Sequence, residues 1–194
     1  MLTQERATIQ DLYQVPDNQK AELVNGQVVL LMPTGDAPGY AGDEIFASLR
    51  EYVRRTGHGR AVADNKGFLV DLPHRQSFSP DAAFYTGPRT GMRFFEGPPD
   101  FAAEVRSEND YGEAEEEALA AKRTDYFAAG TNVVWDVDLL SDVVVRKYTA
   151  DNPRVPMLFR RGDTADAEPA VPGWSMPVDA LFEPPRPGDA VNGA

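Results

Sequence analysis

The sequence predicts a single α/β domain with a mixed central sheet flanked by helices, and three features carry that expectation. Asn25-Gly26 divides two apolar runs in AELVNGQVVLLM, residues 21–32, which is a strong local signal for a tight hairpin. The period then lengthens: over residues 40–55, Ile45, Leu49, Tyr52 and Val53 fall on one side of a helix. A segment rich in Ala and Glu, residues 113–129, forms a second helix, with strand-like runs at 131–137 and 143–148 after it. Together these segments imply a strand–helix–strand crossover and hence a mixed sheet.

The remaining elements follow in order. Thr8 is placed to cap a short helix over residues 9–14, which the Val15-Pro16 step ends. Pro33 closes the second hairpin strand, and Gly57 and Gly59 end the long helix. Short strands are expected at residues 60–63, 67–72, 82–85 and 101–105. Between the last two runs TGPRTGMRFFEGPP, whose Phe94 and Phe95 fold over the core or offer apolar contact to a second copy. Gly130 stops the second helix. Trp135 reads as core and Trp174 as an anchor for a less regular region beyond Asp151. Residues 1–183 are expected to form one domain, and residues 184–194, rich in Pro and Gly, a loose tail.

Composition narrows the function. A chain of 194 residues with 42% hydrophobic residues can bury one substantial core. There is no cysteine, so disulfides and thiolate chemistry are excluded, in keeping with an expected cytoplasmic setting. MLTQERATIQDLYQ does not read as a signal peptide, and the apolar runs are strand-sized, so membrane insertion is not expected. The net charge of -12 counts against a generic electrostatic nucleic-acid binder, while leaving room for a local basic channel or a metal-bridged contact. Nucleotide fingerprints of the GxGxxG and GxxxxGK[ST] kinds are absent, as is the HExxH zinc motif. His58 and His74 form no recognisable zinc arrangement and read as surface residues.

The chemistry concentrates in SPDAAFY and FAAEVRSEND. Asp81 begins one apolar strand and Glu104 lies near the end of another. Neighbouring strands would bring both carboxylates to one sheet end, where they suit a hard divalent cation such as Mg2+. The plainer alternative makes Asp81 a turn residue after Pro80 and Glu104 a solvated strand end. Lys122 and Tyr126 share a helical face, and Lys122 is a candidate phosphate contact or an exposed helical charge. Arg106 follows Glu104 by two positions, on the same side of the strand.

In the order AELVNGQVV, SPDAAFY, AAEVRSEND, KRTDYFAAG and VVWDVD, the chain resembles the Uma-type endonuclease family of the PD-(D/E)xK superfamily, over roughly residues 8–182. The resemblance implies a restriction-endonuclease-like fold. It further implies that Glu22, Asp81 and Glu104 hold the cation, with Lys122 standing in for the lysine that Arg106 replaces. The implied activity is hydrolysis of DNA phosphodiesters with Mg2+, or Mn2+ in its place, by a homodimer suited to cutting two strands. Two departures stand out. YAGDEI lacks the histidine that many relatives carry near the start of that helix, and Arg106 cannot act as a neutral base. The alternative is a noncatalytic nucleic-acid-binding or assembly protein that keeps the nuclease fold.

Overall fold

The computed structural model describes residues 6–16 and 19–184; of the expected tail, residues 185–194 lie outside the described residues. The first half contains α1 (Ile9–Leu12), β1 (Lys20–Val24), β2 (Gln27–Leu31), α2 (Asp36–Thr56), β3 (Arg60–Ala63), β4 (Phe68–Leu69), β5 (Ser77–Phe78), β6 (Ala82–Tyr85) and β7 (Phe95–Glu96). The second half contains β8 (Phe101–Val105), α3 (Glu113–Ala129), β9 (Val133–Val137), β10 (Val145–Thr149), β11 (Asn152–Phe159), β12 (Thr164–Asp166), β13 (Ser175–Pro177) and a 3-10 turn at Val178–Leu181.

The hairpin forms where Asn25-Gly26 predicts it. Asn25 and Gly26 have φ of 53° and 71°, the left-handed pair that a two-residue turn between right-twisted strands requires. This turn sets the register Val24↔Gln27 through Lys20↔Leu31. At the helix ends, Gly57 and Gly130 both adopt the left-handed conformation that releases the chain from α2 and α3. Helix α2 begins at Asp36, earlier than the apolar period shows, because Pro38 fits a first turn and the small Gly39, Ala41 and Gly42 carry no amphipathic signal.

The central sheet has six strands in the order β11-β10-β9-β8-β6-β3, with β8 and β9 parallel and the other neighbours antiparallel. Helix α3 makes the crossover between the parallel pair. The fold is therefore the expected mixed sheet flanked by helices.

Strand alternation divides the core into two layers. Phe84 of β6, Phe101, Ala103 and Val105 of β8, and Val133, Trp135 and Val137 of β9 join Ile45, Leu49 and Tyr52 of α2. Trp174 and the C-terminal segment close this layer, and the Trp174 indole N–H donates to Ser48. Ala83, Tyr85, Ala102 and Val134 face the other way and meet Phe68, Phe78 and Tyr126. Leu49 is fully buried, so its burial contributes about 2 kcal/mol. Truncation to alanine would cost about 3 kcal/mol once the cavity is included.

Two regions differ from the sequence expectation. The strand expected over 67–72 contracts to β4, which with β5 and β7 makes a small separate sheet. Over residues 152–181 the chain is more regular than expected: β11 adds an edge to the central sheet, and β12 pairs with β13. Strand β11 escapes a period-two reading because it lies mostly exposed and contains Pro153 and Pro156, residues tolerated at an edge. The Phe94 and Phe95 rings cover their own chain. Phe94 stacks on Tyr13 at 4.3 Å and Phe95 on Phe68 at 4.7 Å.

Candidate active site

The β6–β8 register sets the site. Ala82 pairs with Ala103, so the next step along the ladder brings Asp81 and Glu104 to the same end of the sheet. The Asp81 amide donates to the Ala103 carbonyl at 3.1 Å. Its carboxylate accepts the Val105 amide at Oδ2, 2.7 Å away, and the Lys20 ammonium at Oδ1, also 2.7 Å away. Gly42 of α2 backs onto this residue: a Cβ there would lie 3.6 Å from Asp81 Cβ.

Glu104 points from β8 toward α3, on the opposite face from Ala103 and Val105. It accepts Lys122 Nζ at Oε2, 2.9 Å away, and the Tyr126 hydroxyl at Oε1, 2.5 Å away. The i, i+4 spacing of Lys122 and Tyr126 therefore does bring both onto one carboxylate. Burial raises the Glu104 pKa; Lys122 opposes that rise, while the Asp81 and Glu22 charges add to it, and the net shift is upward. Burial and these carboxylates also push the Tyr126 phenol well up.

Glu22 enters from β1, with a side chain only 5% exposed. Its Oε2 accepts Arg75 Nη1 at 2.5 Å and its Oε1 accepts the Ser79 amide at 2.9 Å, with Lys122 Nζ 3.0 Å from Oε1. Burial opposes ionisation here, but Lys122, Arg75 and the Ser79 amide outweigh it and hold the carboxyl below its usual range. Arg75 in turn donates through Nε to Asp125 Oδ2 at 2.8 Å, and His74 meets Asp125 Oδ1 at 2.7 Å. His74 is at the surface, as its sequence setting reads, and is also tied through Asp125 into the support for Glu22.

Lys122 bridges Glu22 and Glu104. Burial disfavours its charge, yet the two carboxylates more than compensate and raise its pKa above that of a free lysine. Lys122 is accordingly a fixed cation and not a neutral base.

Arg106 does not join this group. Its Nε and Nη2 grip Asp136 at 2.7 and 2.8 Å, and its remaining donors engage Glu116. Asp136 is the register partner of Glu104 on β9, so the arginine ties β8, β9 and α3 together beside the site.

The carboxylates open onto a cleft of about 780 Å³. Lys20, Glu22, Arg75, Asp81, Glu104 and Lys122 line its floor, and Leu30 and Met32 of the hairpin stand exposed at its rim. Among the described residues, no three Asp, Glu or His side chains converge as a metal cage. Asp81 and Glu104 form a two-carboxylate edge instead, a donor set that suits Mg2+, which is held by one or two carboxylates with water and phosphate. Lys20 already stands as a cation against that edge, 2.7 Å from Asp81, so the edge holds positive charge. The residues therefore fit a divalent cation. Glu22 differs in degree: its two oxygens carry Arg75, Ser79 and Lys122, where those of Glu104 carry Lys122 and Tyr126.

Sequence comparison gives this geometry its context. The profile of the Uma2 family, described as "Putative restriction endonuclease", matches residues 8–179. The chain belongs to the Uma2 family. Its membership brings it within the PD-(D/E)xK-like nuclease superfamily. Among solved structures, the Uma2 chain is similar to that described as the crystal structure of a putative nuclease belonging to DUF820 from Anabaena variabilis ATCC 29413. The two are 16% identical with a TM-score of 0.69, over 90% of this chain and 97% of the other, a likeness of fold. No curated protein matched.

Sequence reasoning passed over Lys20, Arg75, Ser79 and Asp125. Lys20 carries the clearest overlooked signal, since it lies two positions before Glu22 on the same strand and so shares its face.

Proposed function

We propose that this Uma2 chain hydrolyses DNA phosphodiester bonds with the help of Mg2+, or Mn2+ in its place. The observation that carries the reading is the pairing of Asp81 and Glu104 at one sheet end, above a cleft into which a protonated Lys122 also opens. Asp81 and Glu104 would hold the cation. Glu22 keeps Lys122 charged and positioned, a role that leaves its own oxygens committed to the protein. Tyr126 fixes the Glu104 carboxylate. Lys122 then donates to a non-bridging phosphate oxygen and stabilises the charge that develops there. When bound, a divalent cation supplies Lewis-acid polarisation of the phosphodiester and lowers the pKa of attacking water.

An assay with DNA of several forms tests this directly. Wild-type protein should cleave with Mg2+ or Mn2+, and the double variant Asp81→Asn, Glu104→Gln should not. Equal cleavage by the double variant would refute the assignment. Binding without cleavage would instead favour a noncatalytic protein with the same fold, a reading supported by the net charge of -12 and by Glu108, Asp110 and Glu115 around the cleft. A homodimer would let two such sites address both strands, and sedimentation equilibrium would detect it as twice the 21.3 kDa chain mass.

A further inference from the structure

We infer that Lys20 is a two-seat internal cation that occupies the Asp81 edge when no divalent ion is bound and withdraws to Asp64 when one arrives. The inference rests on the metal reading of Asp81 and Glu104 given above.

Three observations carry it. First, the Lys20 ammonium lies 2.7 Å from Asp81 Oδ1 and also 2.7 Å from Asp64 Oδ1, so it is shared between two carboxylates. Secondly, the two seats differ in surroundings. The Asp81 side chain is 13% exposed and is held against β8 by the Val105 amide, whereas Asp64 is 39% exposed at a turn following β3. Asp64 is steadied in that turn by the Asn65 amide, 2.6 Å from its Oδ1. One seat thus belongs to the candidate site, and the other lies outside it at the solvent edge. Thirdly, Lys20 carries the charge that faces Asp81, while Glu104 has Lys122 as its own contact, and the Glu104 charge adds to the pull on Lys20.

These facts have a simple physical consequence. Lys122 is already shared by Glu104 and Glu22, so Asp81 without a cation of its own would add an unpaired carboxylate to a partly desolvated cleft, which costs stability. Lys20 supplies that cation in the resting protein. A divalent ion at the same edge would repel the ammonium, and Asp64, already 2.7 Å away, is the partner it would keep. The retreat leaves Lys20 paired and keeps Asp81 Oδ1 open to the incoming ion. Lys20 is a positioning residue in this account, and it tunes metal affinity without touching the reacting atoms.

Mn2+ binding to the full-length chain, followed by electron paramagnetic resonance of the free ion, tests the device without reference to cleavage. Lys20→Met should tighten Mn2+ binding about tenfold, equivalent to ~1.4 kcal/mol. Its thermal midpoint should fall in chelator and recover with Mn2+. Asp64→Asn should act in the opposite sense and weaken binding by about threefold, because the lysine loses its retreat and stays on Asp81. Lys66→Met removes the same charge from an exposed neighbouring lysine that donates to the backbone carbonyls of Asp64 and Asn65, and should change affinity little. If Lys20→Met and Lys66→Met shift binding equally, or if Asp64→Asn tightens it, the two-seat account is overturned while the metal site stands. If neither the wild type nor Lys20→Met binds Mn2+, the metal reading falls, and this inference with it.

Discussion

The Lys122 ammonium lies 2.9 Å from Glu104 Oε2, so one helical lysine joins α3 to the sheet strand that bears the candidate cation ligand. Because the same ammonium is 3.0 Å from Glu22, the hairpin is drawn into the junction as well. Stability and chemistry are coupled at this point.

Replacing Lys122 should affect both. Lys122→Met leaves Glu22 and Glu104 without their shared cation, and breaking a buried pair in this way costs about 3 kcal/mol. Urea unfolding would measure that loss, and cleavage should fall by about a hundredfold or more even where the variant is fully folded. A folded variant with wild-type cleavage would remove Lys122 from the mechanism.

Arg106→Lys restores the residue type common in the superfamily, yet it should not restore or raise activity. The guanidinium grips Asp136 through two donors and Glu116 through others, and an ammonium cannot reproduce that fork. We expect a loss of about 2 kcal/mol in unfolding free energy with no gain in cleavage. Enhanced cleavage would mean that position 106 reaches the reacting centre.

Tyr126→Phe removes the hydroxyl that fixes Glu104 at Oε1 while keeping the ring stacked on Phe78 at 3.9 Å. Mn2+ affinity should weaken about tenfold, the usual scale for losing a residue that orients a ligand. Calorimetric titration would register the change; unchanged affinity would show that Glu104 needs no such support.

Glu116 gives a pH dependence of definite sign. Its hydrogen bonds with Arg106 lower its pKa from the ordinary 4.5, against a smaller opposing effect of burial. A carboxylate with a depressed folded pKa stabilises above its unfolded pKa, and that contribution fades as pH falls through the folded value. Wild type should therefore exceed Glu116→Gln in thermal stability at neutral pH, with the gap closing only below about pH 4.5. The side chain is 55% exposed, so the gap should be small and sensitive to salt. A gap that persists unchanged at pH 3 would contradict the ion-pair origin.

Local signals made much of the fold legible. Asn25-Gly26 announced its own turn, Gly130 ended α3, and the apolar runs at Ala82–Tyr85 and Phe101–Val105 became β6 and β8 with the expected bounds. That Asp81 and Glu104 share one sheet end, and that Lys122 and Tyr126 share one helical face, was readable from strand ends and helical period. The partners of Glu22 were not. Arg75 and Ser79 reach it, with Asp125 of α3 behind Arg75, through packing of β1 against the β4–β5 turn, and long-range packing of polar groups leaves no periodic trace in the sequence. Strand β11 stayed hidden for a different reason: an exposed edge with two prolines shows no alternation to read.

The central claim is that Asp81 and Glu104 hold a divalent cation, and anomalous diffraction from crystals grown with Mn2+ measures it most directly. The account predicts one strong anomalous peak within about 2.2 Å of a carboxylate oxygen from each residue. Lys122 should remain against Glu22, and Lys20 should be drawn toward Asp64. At saturating Mn2+, a peak elsewhere, or no peak with Lys20 still seated on Asp81, would contradict it.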